Sequence, residues 1–206
     1  MSEILNSTIG IAGCGTMGLP MLEVLLKNNI KAFGYDVLAK ENFLDLEDNF
    51  ISSKRDFFHK ADIIFSVVRD INQTKELCEG KDGLFQLNSP KILIISSTLS
   101  PAFLSDFFKD APENITMIEA PMSGAPMKAK DATLTFMVGA EKNEYQNILP
   151  ILNILGEKIY HIGQFGSGMS VKVLNNFVAS CSVVAVRHVL SEAKYLNISN
   201  KQLLEI

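Results

Sequence analysis

An apolar run that stops at a glycine-rich loop and resumes as a helical pattern limits this chain more than any other feature. Residues 8–12 (Thr-Ile-Gly-Ile-Ala) are short and apolar, as a buried strand is. The loop Gly13-Cys14-Gly15-Thr16-Met17-Gly18 follows, and residues 17–26 then show helix-like apolar spacing. Pro20 falls in the first helical turn, where its missing N–H is tolerated. A lone G-x-G-x-x-G is weak, because glycines also mark ordinary turns. Here a strand precedes it, a helix follows it, and an acidic residue, Asp36, ends the next apolar run.

That context points to a dinucleotide cradle. Gly13 would permit the tight turn, Gly15 would let a pyrophosphate approach the backbone, and Gly18 would let helix and strand pack closely. The N–H groups of the helix start favour phosphate oxygens. Asp36 would accept hydrogen bonds from ribose hydroxyls and repel the 2′-phosphate of NADP, and Val37 brings no arginine to offset that. NAD is therefore expected over NADP, with Lys40 as the nearby residue that argues the other way. Thr16, Met17 and Val67-Val68 complete the expected cofactor contacts. Cys14, between two glycines, is expected to serve as a small side chain and not as a redox centre.

Further apolar runs at residues 31–36, 62–68 and 91–97 alternate with helical patterns, which implies a parallel sheet covered on both faces. Such sheets bind ligands beyond the carboxyl ends of their strands, and the glycine loop, Asp36 and Ser97-Thr98 all fall there. From about residue 115 the pattern changes. Residues 116–121, 133–139 and 158–161 read as strands, with a helix over 143–155. Gly163, Gly166 and Gly168 then precede a helical stretch over 169–196, roughly 42 Å long at 1.5 Å per residue. We expect an α/β Rossmann-type doubly wound sheet over residues 1–163. Residues 164–206 would form an interdomain helix and the start of an all-helical second domain, with Ser199 capping one more helix.

Composition excludes several classes. A net charge of -4 with scattered lysines and arginines gives no basic field for nucleic acid. Cys14, Cys78 and Cys181 form neither a disulfide framework nor, with His59, His161 and His188, a metal-ligand pattern. The first residues lack the pattern of a signal peptide, and the apolar run 177–186 is about half a membrane span. A cytoplasmic protein without membrane or nucleic-acid partners is the expectation. The apolar helix over 177–190 would need a covering partner, so a homo-oligomer is expected.

Two segments carry candidate chemistry. Lys172 and Asn176 stand at i and i+4, hence on one helical face, with Asn175 beside them and Val173, Leu174 and Phe177 around them. Read from spacing alone, the lysine could equally face solvent. Ser123-Gly124-Ala125 follows the strand at 116–121 and could offer a hydroxyl and N–H groups to a carboxylate, or be a plain loop. A serine-hydrolase reading fails, since Ser123 lies in no G-x-S-x-G elbow.

These motifs in this order resemble the β-hydroxyacid dehydrogenases, in their 3-hydroxyisobutyrate dehydrogenase-like branch. The resemblance runs from Ile9 to Ile206 and is most specific at Gly13 to Met21, Ser97-Thr98, Ala120 to Gly124, Thr133 to Gly139, and Gly166-Ser167-Gly168 leading to Lys172 and Asn175-Asn176. It implies a Rossmann domain followed by a helical domain. Lys172 would be the catalytic acid/base with Asn176 as its partner, while Ser123 and Gly124 hold a small carboxylate substrate and Thr98 lies near the nicotinamide. The reaction implied is hydride transfer between NAD and a small 3-hydroxy acid, or reduction of its semialdehyde.

Three departures stand out. Ala125 replaces a usual glycine, Met169 replaces a common glutamine, and most of the helical domain is missing. A C-terminally truncated member is thus expected, and a non-catalytic dinucleotide-binding module is the alternative. An imine reductase typically lacks the lysine, and the cationic residues of a 6-phosphogluconate dehydrogenase cannot be located in the sequence.

Overall fold

The structure, a computed structural model, describes residues 3–38 and 40–206. Strand β1 (Ile9–Ala12) is buried along its whole length. It pairs in parallel with β2 (Ala32–Tyr35) on one side and β3 (Ile63–Ser66) on the other. β4 (Lys91–Ile95) and β5 (Ile115–Glu119) extend the parallel array. Successive side chains feed two apolar layers: Ile63, Phe65 and Ile94 belong to one, and Ile64, Leu93 and Ile95 to the other. With both faces covered, these strands read as unbroken apolar runs instead of alternating ones.

Helices fill the crossovers. α1 (Gly18–Lys27) buries Met21, Leu22 and Leu25, and Pro20 lies in its first turn. α2 (Lys54–Lys60), α3 (Ile71–Cys78) and α4 (Pro101–Lys109) each begin on a side-chain cap, from Ser53, Asp70 and Ser100 respectively. Met17 precedes α1 at the N-cap position and provides no side-chain cap. Between β2 and α2 runs a 3-10 segment, Lys40–Asn49, followed by Phe50, whose ring stacks on Phe43 with centroids 4.5 Å apart.

Beyond β5 the direction reverses. After β6 (Met122–Ser123) and α5 (Pro126–Lys130), β7 (Leu134–Gly139) runs antiparallel to both β5 and β6. α6 (Lys142–Leu155) leads to β8 (Gly156–Gly163), which is parallel to β7. The sheet order is β2-β1-β3-β4-β5-β7-β6, with β8 paired to β7. The Rossmann-type sheet with flanking helices is therefore present but mixed: parallel through β5, and reversed at β7. Apolar patterning marks where strands are and leaves their direction open.

α7 (Ser167–Tyr195) and α8 (Asn200–Glu205) complete the chain. The first compact unit ends at Lys172, and Val173–Ile206 forms the second. In the second unit, Ser199 Oγ accepts the Gln202 N–H at 3.1 Å and starts α8, as its sequence position suggests. Phe177, Val178 and Val184 are exposed on α7. By length and composition alone, this helix is long and apolar enough to cross a membrane. The run 177–186 is thus the middle of a longer apolar stretch.

A Cβ added at Gly18 would collide with the Gly13 carbonyl oxygen. Because the obstacle is backbone, it cannot rotate away. Gly18→Ala is expected to destabilise the fold by about 1–3 kcal/mol, read from urea unfolding. An unchanged midpoint would show that loop and helix separate without cost.

Candidate active site

At the carboxyl ends of β1, β2, β3 and β4 lies a cleft of about 930 Å³. The topology explains its position, since the loops after parallel strands all open at the same edge. Gly13, Gly15, Thr16 and Met17 contribute from the first loop, Asp36 from the end of β2, Val67 and Val68 from beyond β3, and Thr98 from beyond β4. Gly124 lines it as well. Gly18 packs behind the loop against Gly13.

Three observations test this cleft for a dinucleotide. Gly13 has φ +97°, and a Cβ there would press on the Val67 carbonyl, so the turn requires glycine. Gly15 has no atom within 4 Å of where its Cβ would stand, so the space beside it is open to a ligand. α1 begins without a side-chain acceptor; the Leu19 N–H goes to the Gly15 carbonyl at 3.1 Å and Pro20 has none, so among the described residues the Gly18 N–H is the helix-start donor open to an anion. The residues fit the group.

Asp36 is fixed from two directions. Its Oδ2 accepts the Cys14 N–H at 2.8 Å and its Oδ1 accepts the Leu38 N–H at 3.0 Å. Cys14 itself is buried, and burial, with the neighbouring Asp36 charge, pushes its thiol up to about 12. The thiol stays protonated and poorly nucleophilic at neutral pH. Lys40 is exposed and does not line the cleft. Ser97 Oγ donates to the Val68 carbonyl at 2.7 Å and so ties the loop after β4 to the one after β3.

Lys172, in the second turn of α7, is buried, and removal from water lowers the affinity of its amine for a proton. No ion pair or hydrogen bond to its Nζ is found among the described residues. Ser123 pairs with Thr135 across β6 and β7 and is partly buried; Ala125 is exposed, and neither lines the cleft. Asn175 and Asn176 lie in the second unit and are exposed. Met169, where a glutamine was expected from the resemblance, is buried, and its Sδ accepts the Leu99 N–H at 3.3 Å.

The profile of the family described as the NAD binding domain of 6-phosphogluconate dehydrogenase matches residues 8–163. The chain belongs to this family. Human mitochondrial 3-hydroxyisobutyrate dehydrogenase is 29% identical over 205 residues, covering 98% of this chain and 61% of the relative. 2-(Hydroxymethyl)glutarate dehydrogenase from Eubacterium barkeri is 28% identical over 186 residues, covering 88% of this chain and 62% of the relative. The chain thus spans about three-fifths of the length of these relatives. The solved structure of 3-hydroxyisobutyrate dehydrogenase from Mycobacterium tuberculosis with L-serine superposes with a TM-score of 0.82 at 26% identity. That match covers 97% of this chain and 69% of the other.

Within this NAD binding domain, several wall residues carry no sequence signal. Lys54 Nζ meets Glu76 Oε1 at 2.8 Å and the Glu76 carbonyl at 3.0 Å, and both residues line the cleft with Arg69 and Gln73. Positions 54 and 76 sit on different helices, α2 and α3, so folding alone brings them together. Glu119, inside the strand pattern at 116–121, shows nothing in the sequence to mark it, yet it is fully buried. Burial pushes its carboxyl up to about 7, against the opposing pull of the N–H groups of Gly166, Met169 and Gly168.

Gly15→Ala separates binding from folding. With open space at the Cβ position, the unbound domain is expected to keep its stability within about 0.5 kcal/mol. The added methyl intrudes where a pyrophosphate would lie, so NADH affinity in a fluorescence titration should fall by about tenfold or more. Unaltered affinity would place the dinucleotide elsewhere.

Proposed function

We propose that this chain is the NAD binding part of an oxidoreductase that transfers hydride between NAD and a small 3-hydroxy acid, or reduces the corresponding semialdehyde. The buried Lys172 carries this reading. A lysine removed from water in the second turn of α7 binds its proton less tightly than an exposed one, which suits it to proton exchange. The relatives named as 3-hydroxyisobutyrate and 2-(hydroxymethyl)glutarate dehydrogenases support the same substrate class.

When bound, NAD supplies the hydride acceptor. The residues of this chain do the rest. The Gly13–Gly18 loop, ending at the Gly18 N–H, holds the pyrophosphate, and Asp36 accepts from the adenosine ribose hydroxyls. Thr98, Val67 and Val68 line the nicotinamide end. The neutral Lys172 amine takes the hydroxyl proton on oxidation, and the ammonium returns it on reduction. Ser123, Gly124 and Ala125 hold the substrate carboxylate, with Gly124, at φ +151°, turning the chain after β6. NAD is preferred over NADP because both Asp36 oxygens are already held by backbone N–H groups, which fixes a negative charge where a 2′-phosphate would come. The protein acts in the cytoplasm on a small carboxylate, without a nucleic-acid or membrane partner. The exposed Phe177, Val178 and Val184 support assembly into a homo-oligomer.

Lys172→Ala is expected to reduce turnover by about 10²–10⁴-fold while leaving NADH binding near wild type. Oxidation needs the neutral amine, so its rate should rise with pH through the lysine pKa, and reduction should fall through the same value. Because burial lowers that value, both limbs lie below the ordinary lysine value of about 10.4. A panel of 3-hydroxy acids and semialdehydes followed by NADH absorbance tests this. Unchanged rates in Lys172→Ala would remove the lysine from the mechanism, and binding without turnover would favour a non-catalytic module. Asp36→Ala is expected to narrow the NAD over NADP affinity ratio, and an unaltered ratio would show that another group reads the ribose.

A further inference from the structure

Glu119 ends β5 and has no exposed surface. Its register partner is Gly139, the last residue of β7, and a Cβ added there would collide with Glu119 Oε2. The bare glycine therefore makes room for the carboxylate. Oε2 accepts the Gly166 N–H at 2.6 Å, and the N–H groups of Gly168 and Met169 also stabilise the charge. Burial and these three N–H groups are what act on it, and no charged side chain is among those influences.

The turn held this way has little freedom. A Cβ at Gly168 would collide with the Met137 carbonyl, so the start of α7 lies directly on β7. Met169 is clamped on its other side by the Leu99 N–H. Lys172 stands four residues beyond Gly168 and three beyond Met169. Helical side chains lean toward the N-terminus, so the lysine stem covers the turn that Glu119 anchors. A shift of that turn moves the ammonium.

A structural need alone would be met better by an apolar residue. Glu119 Oε1 is buried with no hydrogen-bond partner among the described residues, a cost an isosteric hydrocarbon avoids. We propose that Glu119 is a positioning residue: its carboxylate fixes the first turn of α7 against the ends of β5 and β7, and so fixes the place and surroundings of Lys172. The inference rests on the reading of Lys172 as the acid/base of the site.

The test compares the wild-type chain with Glu119→Ala and Glu119→Gln, each checked for folding by circular dichroism. Two readouts are used: amide hydrogen exchange over residues 166–172, and the pH profile of Lys172 acetylation by acetic anhydride. In Glu119→Ala, exchange at 166–169 is expected to run about 10–100-fold faster, as lost hydrogen bonds to a charged group would allow. The midpoint of Lys172 acetylation should move up toward that of an ordinary lysine. Glu119→Gln keeps an acceptor for Gly166 and should stay close to wild type on both counts. If Glu119→Ala does not fold, Glu119→Asp withdraws the acceptor by one methylene and should move both readouts in the same direction. An unmoved Lys172 midpoint in the acceptor-deficient variant overturns the proposal, as does a Gln variant displaced as far as the Ala one. Neither readout uses turnover. A catalytically silent Lys172→Ala would therefore refute the role of the lysine separately from the anchoring role of Glu119.

Discussion

Between Gly13 and Gly18 the chain folds back until carbonyl and Cα meet with no room for a side chain, and the cleft depends on that approach. Hydrogen bonding holds β1 between β2 and β3, and Gly18 brings α1 down onto its end. The loop between them has no slack. Its turn at Gly13 abuts the Val67 carbonyl, which in turn places the loop after β3. Ser97 then ties that loop to the one after β4. One close backbone contact thus propagates through three loops to define a single binding edge.

A second close approach organises the other end of the unit. Gly139 and Gly168 bring β7 and the start of α7 together as backbone on backbone, and Glu119 occupies the space their missing side chains leave. Met169 completes the junction from the Leu99 side. Here a thioether accepts a weak hydrogen bond while filling an apolar site, which suits the soft, adaptable character of methionine.

The parts of the fold legible from residues alone were those governed by local physics. β1, α1 and the long helix of α7 follow from apolar spacing and glycine, and the Ser199 cap follows from capping chemistry. Asp36 could be found because a strand end next to a glycine loop has a geometric meaning. The reversal of β7 could not be read, since apolar residues mark burial without marking direction. The two-residue β6 and five-residue α5 are too short to show a period, and the 3-10 segment Lys40–Asn49 takes its place from the packing of Phe43 and Phe50. Of the candidate site, the residues that line the cleft at the strand ends were the legible part. The Lys54–Glu76 pair and the burial of Glu119 depend on contacts between distant segments, so no local pattern announces them.

The two bonds held by Asp36 reach beyond ligand choice. Cys14 and Leu38 present two N–H donors to one side chain, and a carboxylate meets both with an acceptor. An asparagine would bring one acceptor and one amide donor, setting N–H against N–H on one side. The loop around the glycines and the turn after β2 are therefore fastened to each other by the same charge that would greet a ribose. Any change that remakes this position for a phosphorylated ribose must also supply a new fastening, so selectivity here is inseparable from the architecture that displays it.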